Sequence, residues 1–122
     1  MAVLPKDSLA GVECAVDVIR ATIDEAPQPL CGGACGQCSL GSVLDRVSGL
    51  VMKAVSVSSA KACRRKLLGA RRAAGVLKIR FASLKRRGCI GPANRVVRLA
   101  SEVTDLAERT QALFQGGFCV NR

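Results

Sequence analysis

The apolar residues of this chain recur every three or four positions in several separate stretches, which is the spacing of one face of an α-helix. With 122 residues, the chain has the length of a single domain. The pattern therefore predicts an all-α fold, a small bundle of three to five helices with one long basic amphipathic helix. The predicted parts are an N-terminal helix (1–26), a loop rich in Cys and Gly (27–41), a helical and basic region (42–88) and a C-terminal heptad helix (92–115).

The N-terminal helix is predicted to begin at a cap on Asp7 or Ser8 and to run to about Glu25. Pro27 and Pro29 follow, and proline disfavours helix both at its own position and at the residue before it. The polar residues lie off a single narrow stripe, which suits packing against a partner helix. That stripe consists of Leu9, Val12, Val16, Ile19 and Ile23.

A second helix is predicted to begin near Val43 with Ser42 as its cap. The segment 55–59, VSVSS, is β-branched and rich in serine, so it is a poor helix interior. Either the helix bends there, or a new helix begins at Ser58 or Ser59. The apolar face of the second helix consists of Val43, Leu44, Val47, Leu50, Val51 and Ala54.

The stretch from Lys61 to Arg87 holds eleven Lys and Arg and no acidic residue. On a helix, most of these cations share an arc of roughly 160°. Gly69 and Gly75 each cost about 1 kcal/mol relative to Ala inside a helix, so a break at either is an alternative, and Gly88 is a natural C-terminal cap. The basic arc consists of Lys61, Arg64, Arg65, Arg71, Arg72, Lys78, Lys85 and Arg86.

The opposite arc of the same helix, roughly 100° wide, is apolar and suits a core. Leu68 and Ile79 fall inside the basic arc, while Lys66 and Arg80 fall outside it. A solvated surface usually mixes charges of both signs, so a face of one sign favours an anion-binding role. The apolar arc consists of Cys63, Ala70, Ala73, Ala74, Leu77, Phe81 and Leu84.

The last helix is predicted to have Pro92 in its first turn and to run to about Gln115, where Gly116 ends it. Its apolar residues form an a/d seam over nearly three heptads. We predict a homodimer through this seam, with packing inside the chain as the alternative. The seam consists of Val96, Leu99, Val103, Leu106, Thr110 and Leu113.

The net charge of +10 is concentrated in the middle of the chain. From Arg46 to Ser101 there are fifteen basic residues and no acid, and the rest of the chain has a balance of −5. A field of one sign on a small protein favours a polyanionic partner such as nucleic acid or an anionic membrane. The acidic ends can alternatively fold back and screen the basic middle.

Three of the seven cysteines stand close together, with the spacing C-x3-C-x2-C. Glycines between them allow the tight turns that point thiolates at one metal. Zinc needs a fourth ligand, and the chain has no histidine to supply it. A flexible loop with incidental thiols is the alternative to zinc. The candidate ligands are Cys31, Cys35 and Cys38, with Cys14, Cys63 or Cys89 as the fourth.

The N-terminus lacks the pattern of a secretory signal, and no apolar run is long enough to span a membrane. The odd number of cysteines is then better explained by reduced thiols or metal ligands than by disulfides. We therefore expect a cytoplasmic or nuclear protein that is not secreted.

No enzyme motif is present: there is no histidine, no Walker loop, no Rossmann glycine pattern and no nucleophile beside a recognisable base. We expect no enzymatic activity. Aromatic residues are equally scarce, and Phe81, near the basic stretch, belongs to the apolar face. Nucleic acid is therefore expected to bind through its phosphates and shape, which favours duplex RNA. The predicted contact residues are Lys61, Arg64, Arg65, Lys66, Arg71, Arg72, Lys78, Lys85 and Arg86.

The order of a cysteine cluster, a basic stretch, another cysteine and a heptad helix, from Cys31 to Leu113, resembles the small cysteine-rich proteins of plant RNA viruses such as hordeiviruses, pecluviruses and furoviruses. The resemblance is one of layout. It implies RNA binding, self-association through a C-terminal coiled coil and suppression of RNA silencing in a host cell.

Three other functions are kept as alternatives. The segments KACRRK and LKRR suit nuclear import, which fits a DNA-binding or architectural protein. A basic amphipathic helix also suits a peripheral membrane protein on anionic lipid. The third alternative is an adaptor whose helices bind an acidic protein.

Overall fold

The computed structural model describes residues 4–25, 39–90 and 92–120. All regular structure in this part of the chain is helical, which confirms the predicted all-α class and the predicted helix number. The four helices are α1 (Leu9–Asp24), α2 (Ser39–Ser56), α3 (Ala60–Arg86) and α4 (Ala93–Gln115).

The helices form an up-down-up-down bundle. Helix α3 packs between α2 and α4, and α1 packs against α4 and, less extensively, against α2. Short connections make α2 and α3, and then α3 and α4, antiparallel neighbours. As a result α1 and α3 lie diagonally across the bundle, and one long side of α3 faces outward. None of the described helices is long and apolar enough to cross a membrane.

Serine side chains cap the first turns of α1 and α3, as predicted. The Ser8 hydroxyl accepts a hydrogen bond of 3.0 Å from the backbone N–H of Gly11. The Ser59 hydroxyl accepts one of 3.1 Å from the N–H of Ala62. The serine-rich segment after α2 is therefore a connection between two helices, because Ser59 satisfies a donor that the first helical turn leaves unpaired.

Helix α2 begins at Ser39, one turn earlier than the predicted start near Val43 and inside the predicted loop 27–41. The reason is burial. Leu40 is buried and extends the apolar face by one turn, and this packing outweighs the cost of Gly41 in the first turn.

Helix α3 continues without a break through Gly69 and Gly75, so the alternative of a break is wrong. It ends as predicted at Gly88, which has a φ of 70°. The N–H of Gly88 donates to the carbonyl of Lys85 at 3.1 Å, and that of Cys89 donates to Leu84 at 2.9 Å. This pair of bonds is a Schellman motif, for which a left-handed residue such as glycine is needed.

The seven residues of the predicted apolar arc of α3 are all buried, together with Leu67. The a/d seam of α4 is buried as well: Leu99, Val103, Leu106, Thr110 and Leu113 lie inside the chain's own bundle, with Val96 half-buried. These side chains pack against α1 and α3, which is the alternative of packing inside the chain. A homodimer stays a prediction.

A disulfide joins Cys63 in the first turn of α3 to Cys119 beyond the end of α4. The expectation of reduced thiols or metal ligands is wrong for these two residues. Because the Cys63 sulfur is bonded to Cys119, Cys63 is not the fourth zinc ligand. Cys89 is disulfide-bonded as well and is not a free thiol. The expectation of a cytoplasmic or nuclear protein loses this part of its basis, since disulfides persist mainly in oxidising compartments.

Candidate nucleic-acid interface

The outward side of α3 carries a long row of cations. Lys61, Arg65, Arg72, Lys78 and Arg86 are exposed, as are Arg64 and Lys85. The helix has 27 residues, so at 1.5 Å per residue the row is about 40 Å long. We call these seven residues the basic face.

Four cations outside α3 are paired with carboxylates. Lys6 bonds Glu108 at 2.8 Å, and Arg109 bonds Asp105 at 2.8 Å. Arg20 pairs with Asp45, and Arg98 pairs with Glu25. Among the residues that the structure describes, no carboxylate lies within ion-pairing distance of a cation of α3. The acidic segments thus fold onto other cations and leave the basic face unscreened.

Two arginines at the edge of α3 are held by an aromatic ring of α4. The guanidinium carbons of Arg64 and Arg71 lie 5.5 and 5.0 Å from the centre of the Phe114 ring. Arg71 also donates a hydrogen bond of 3.1 Å to the side-chain oxygen of Gln111. A guanidinium stacked on a ring keeps its in-plane N–H groups for a phosphate. Arg71 already uses one of its N–H groups for the hydrogen bond to Gln111.

Two predicted contact residues are less exposed than the basic face. Lys66 and Arg71 are half-buried. Lys66 lies on the sector of α3 that Leu84 also occupies, which packs into the bundle. A long lysine stem can cover apolar surface while its ammonium group reaches water. We therefore place Lys66 beside the interface and Arg71 at its edge.

Arg46 and Arg80 were not among the predicted contact residues, and the structure brings them together. They line a depression of about 500 Å³ between α2 and α3. Arg46 also lines an adjoining depression of about 340 Å³, this time with Arg72. Lys53 follows Arg46 by seven residues and is exposed, so helical periodicity places it on the same side of α2. The positive surface thus extends from α3 onto α2.

Neither addition follows from the local pattern of α3. Arg80 falls outside the basic arc, and Arg46 is nearer in sequence to Asp45 than to any cation of α3. The signal in the sequence that includes both residues is the charge window from Arg46 to Ser101, which has no acid. Phe114 was not predicted either, because it lies far from α3 in sequence. It contacts α3 only because α4 packs antiparallel to it.

Apolar side chains interrupt the basic face at its middle. Ile79 is 71% exposed, and Leu68 is half-buried. Both had been predicted to fall inside the basic arc. They leave the outward side of α3 chiefly cationic.

The proposed zinc ligands Cys31, Cys35 and Cys38 lie outside the described residues. Within residues 4–25, 39–90 and 92–120, no three His, Cys, Asp or Glu side chains gather in a way that could hold a metal ion.

Comparison with known proteins gives no match to this chain. A scan against protein-family models, a search of curated proteins and a search of solved structures each returned no match. The chemistry of the surface must therefore be interpreted from the residues themselves.

Proposed function

We propose that this protein binds double-stranded RNA through the basic face of α3, without reading its base sequence. The observation that carries the proposal is the unscreened row of cations on the outward side of one helix. A row of cations that lacks acidic partners gains by binding phosphates, because each contact releases counterions from the nucleic acid.

The length and composition of α3 favour a duplex. A straight helix about 40 Å long can follow or cross the phosphate backbones of a duplex over several base pairs. The helix contains no Asn or Gln, which are the side chains that commonly pair with adenine edges. The exposed part of α3 also lacks an aromatic ring on which single-stranded bases would stack, since Phe81 is buried.

Suppression of RNA silencing is a narrower proposal that rests on the resemblance in layout to the viral cysteine-rich proteins. It requires binding of short duplexes independently of sequence. Titration with short duplex RNA of the length used in silencing, beside a long duplex, tests it directly. A protein that binds only the long duplex would not be a suppressor of this kind.

The test of duplex binding is the double variant Arg65→Ala with Arg86→Ala. Both side chains are exposed, lie near opposite ends of α3 and make no ion pair among the described residues. Fluorescence anisotropy with two unrelated duplex RNAs over a range of salt should show equal weakening for both sequences. The salt dependence should fall by roughly one to two units, because about 0.9 unit is lost per duplex DNA phosphate contact.

The matched control is Lys6→Ala with Arg98→Ala. It also removes two positive charges, but from cations that are paired with Glu108 and Glu25. It should therefore change RNA affinity much less. Equal losses in the two variants would mean that net charge alone governs binding, and an unchanged Arg65/Arg86 variant would contradict the proposal. Duplex DNA and anionic vesicles in the same assay test the architectural and membrane alternatives.

A further inference from the structure

The groove between α2 and α3 combines arginines with an apolar floor, in contrast to the basic face. It consists of the two adjoining depressions, of about 500 and 340 Å³. The first has a polar lining that includes Arg46 and Arg80. The second is lined by Arg46, Leu50, Gly69, Arg72, Ala73 and Val76.

The apolar half of the groove depends on a close approach of the two helices. Leu50 of α2 lies over Gly69 of α3, and a Cβ atom at Gly69 would lie 3.1 Å from Cδ1 of Leu50. Such a distance is tight, so the absence of a side chain at Gly69 lets Leu50 rest against α3. Leu50 and Val76 are only half-buried there, which leaves apolar surface open beside two guanidinium groups.

The charge of the groove is positive. Three arginines line it, and the carboxylate of Asp45 in the same lining is engaged by Arg20 of α1. An anion placed between Arg46 and Arg72 would meet guanidinium donors that suit carboxylate and phosphate oxygens. Its attached carbon skeleton would lie on Leu50 and Val76, where burial of apolar area favours binding.

We propose that this groove binds a small amphipathic anion, a carboxylate or phosphate monoester with an apolar body. The volume of the apolar half lies at the lower end of the range for small-molecule sites, so a short chain or a single ring suits it. Arg46 and Arg72 hold the head, and Arg80 widens the positive field on the polar side. This site adjoins the outward basic face and shares Arg72 with it.

The probe for the test is 8-anilinonaphthalene-1-sulfonate, an anion with an apolar body whose fluorescence rises in apolar sites. The chain has no Trp or Tyr, so the protein contributes little background. Decanoate and phenyl phosphate should each displace the probe, and the stronger of the two indicates a fatty or an aromatic ligand. Inorganic phosphate, which has the head without the body, should not displace it at the same concentration. The proposal would be overturned if inorganic phosphate displaced the probe while decanoate and phenyl phosphate did not.

Two variants test whether the probe binds in this groove. Val76→Glu adds a carboxylate to the apolar half at a half-buried position, and Arg46→Ala removes a partner of the head, so each should weaken probe binding about tenfold or more. The controls are Val97→Glu, at an α4 residue that is 70% exposed, and Arg98→Ala, and both should bind the probe as the wild type does. Circular dichroism shows whether each variant is folded. Wild-type affinity in folded Val76→Glu would contradict the proposal.

Discussion

Helices α3 and α4 both carry arginines, but those arginines serve opposite purposes. Arg109 of α4 is buried, and it donates to Asp105 and to the backbone carbonyls of Leu4 and Pro5. Arg72 of α3 is exposed and makes no ion pair within the described part of the chain. Residue type therefore does not decide the role of a cation. Its role depends on whether the fold supplies acceptors around it.

The two regions are connected by a covalent bond as well. The disulfide from Cys63 to Cys119 ties the first turn of α3 to the segment after α4. It therefore holds one end of the basic face against the helix that contains Phe114.

The largest expected effect is that of Cys119→Ser, which removes this bond. The disulfide joins residues 56 apart, and closing a loop of that size in the unfolded chain corresponds to about 4 kcal/mol by the chain-entropy relation. Urea denaturation under non-reducing conditions should show a loss of unfolding free energy near that value. Equal stability of the oxidised wild type and the variant would show that the bond does not constrain the unfolded chain.

The second effect separates the two kinds of arginine. Arg109→Met should cost about 3 kcal/mol, because it leaves the Leu4 carbonyl and the partly buried Asp105 without their donor and removes one of the two donors to the Pro5 carbonyl. Arg72→Met, the same change on the basic face, should stay within about 0.5 kcal/mol of the wild type. The midpoints of chemical denaturation measure both. Similar losses for the two variants would remove the distinction between paired and unpaired cations.

The smallest change in stability is expected at two glycines inside α3. Gly75→Ala should raise the unfolding free energy by about 1 kcal/mol, because a Cβ there meets nothing within 4 Å and Ala is the better helix former. Gly69→Ala should gain less, since its Cβ must displace Leu50. Thermal melts of the two variants compare these sites. A larger gain at Gly69 than at Gly75 would mean that Leu50 moves aside without cost.

The local sequence was sufficient for much of the fold. Helical periodicity identified the buried arc of α3, and the end signals at Ser8, Ser59 and Gly88 were each confirmed, because caps depend on neighbours a few residues away. The start of α2 was misplaced because burial of Leu40 depends on the other helices. The seam of α4 was identified correctly, but the pattern alone could not say whether its partner was another copy or α1 and α3.

Two glycines show the same difference between local and tertiary requirements. Gly88 is required by a local left-handed turn, and the sequence after a long helix predicted it. Gly11 is required by tertiary packing: a Cβ there would lie 2.7 Å from Nη1 of Arg109 and 2.7 Å from the Pro5 carbonyl oxygen. Nothing within α1 indicates that an arginine from the other end of the chain crosses at this point.

The helical class, the two-faced character of α3 and the concentration of positive charge in the middle of the chain follow from the amino-acid sequence alone. These properties depend on spacing and composition, which are local or additive. Four other features depend on how the helices pack together. Four acids pair with cations outside α3, Arg46 and Arg80 share a groove, Phe114 contacts two arginines, and Cys63 pairs with Cys119. Each of these depends on which helices are neighbours, and that choice follows from the burial of all four apolar stripes at once.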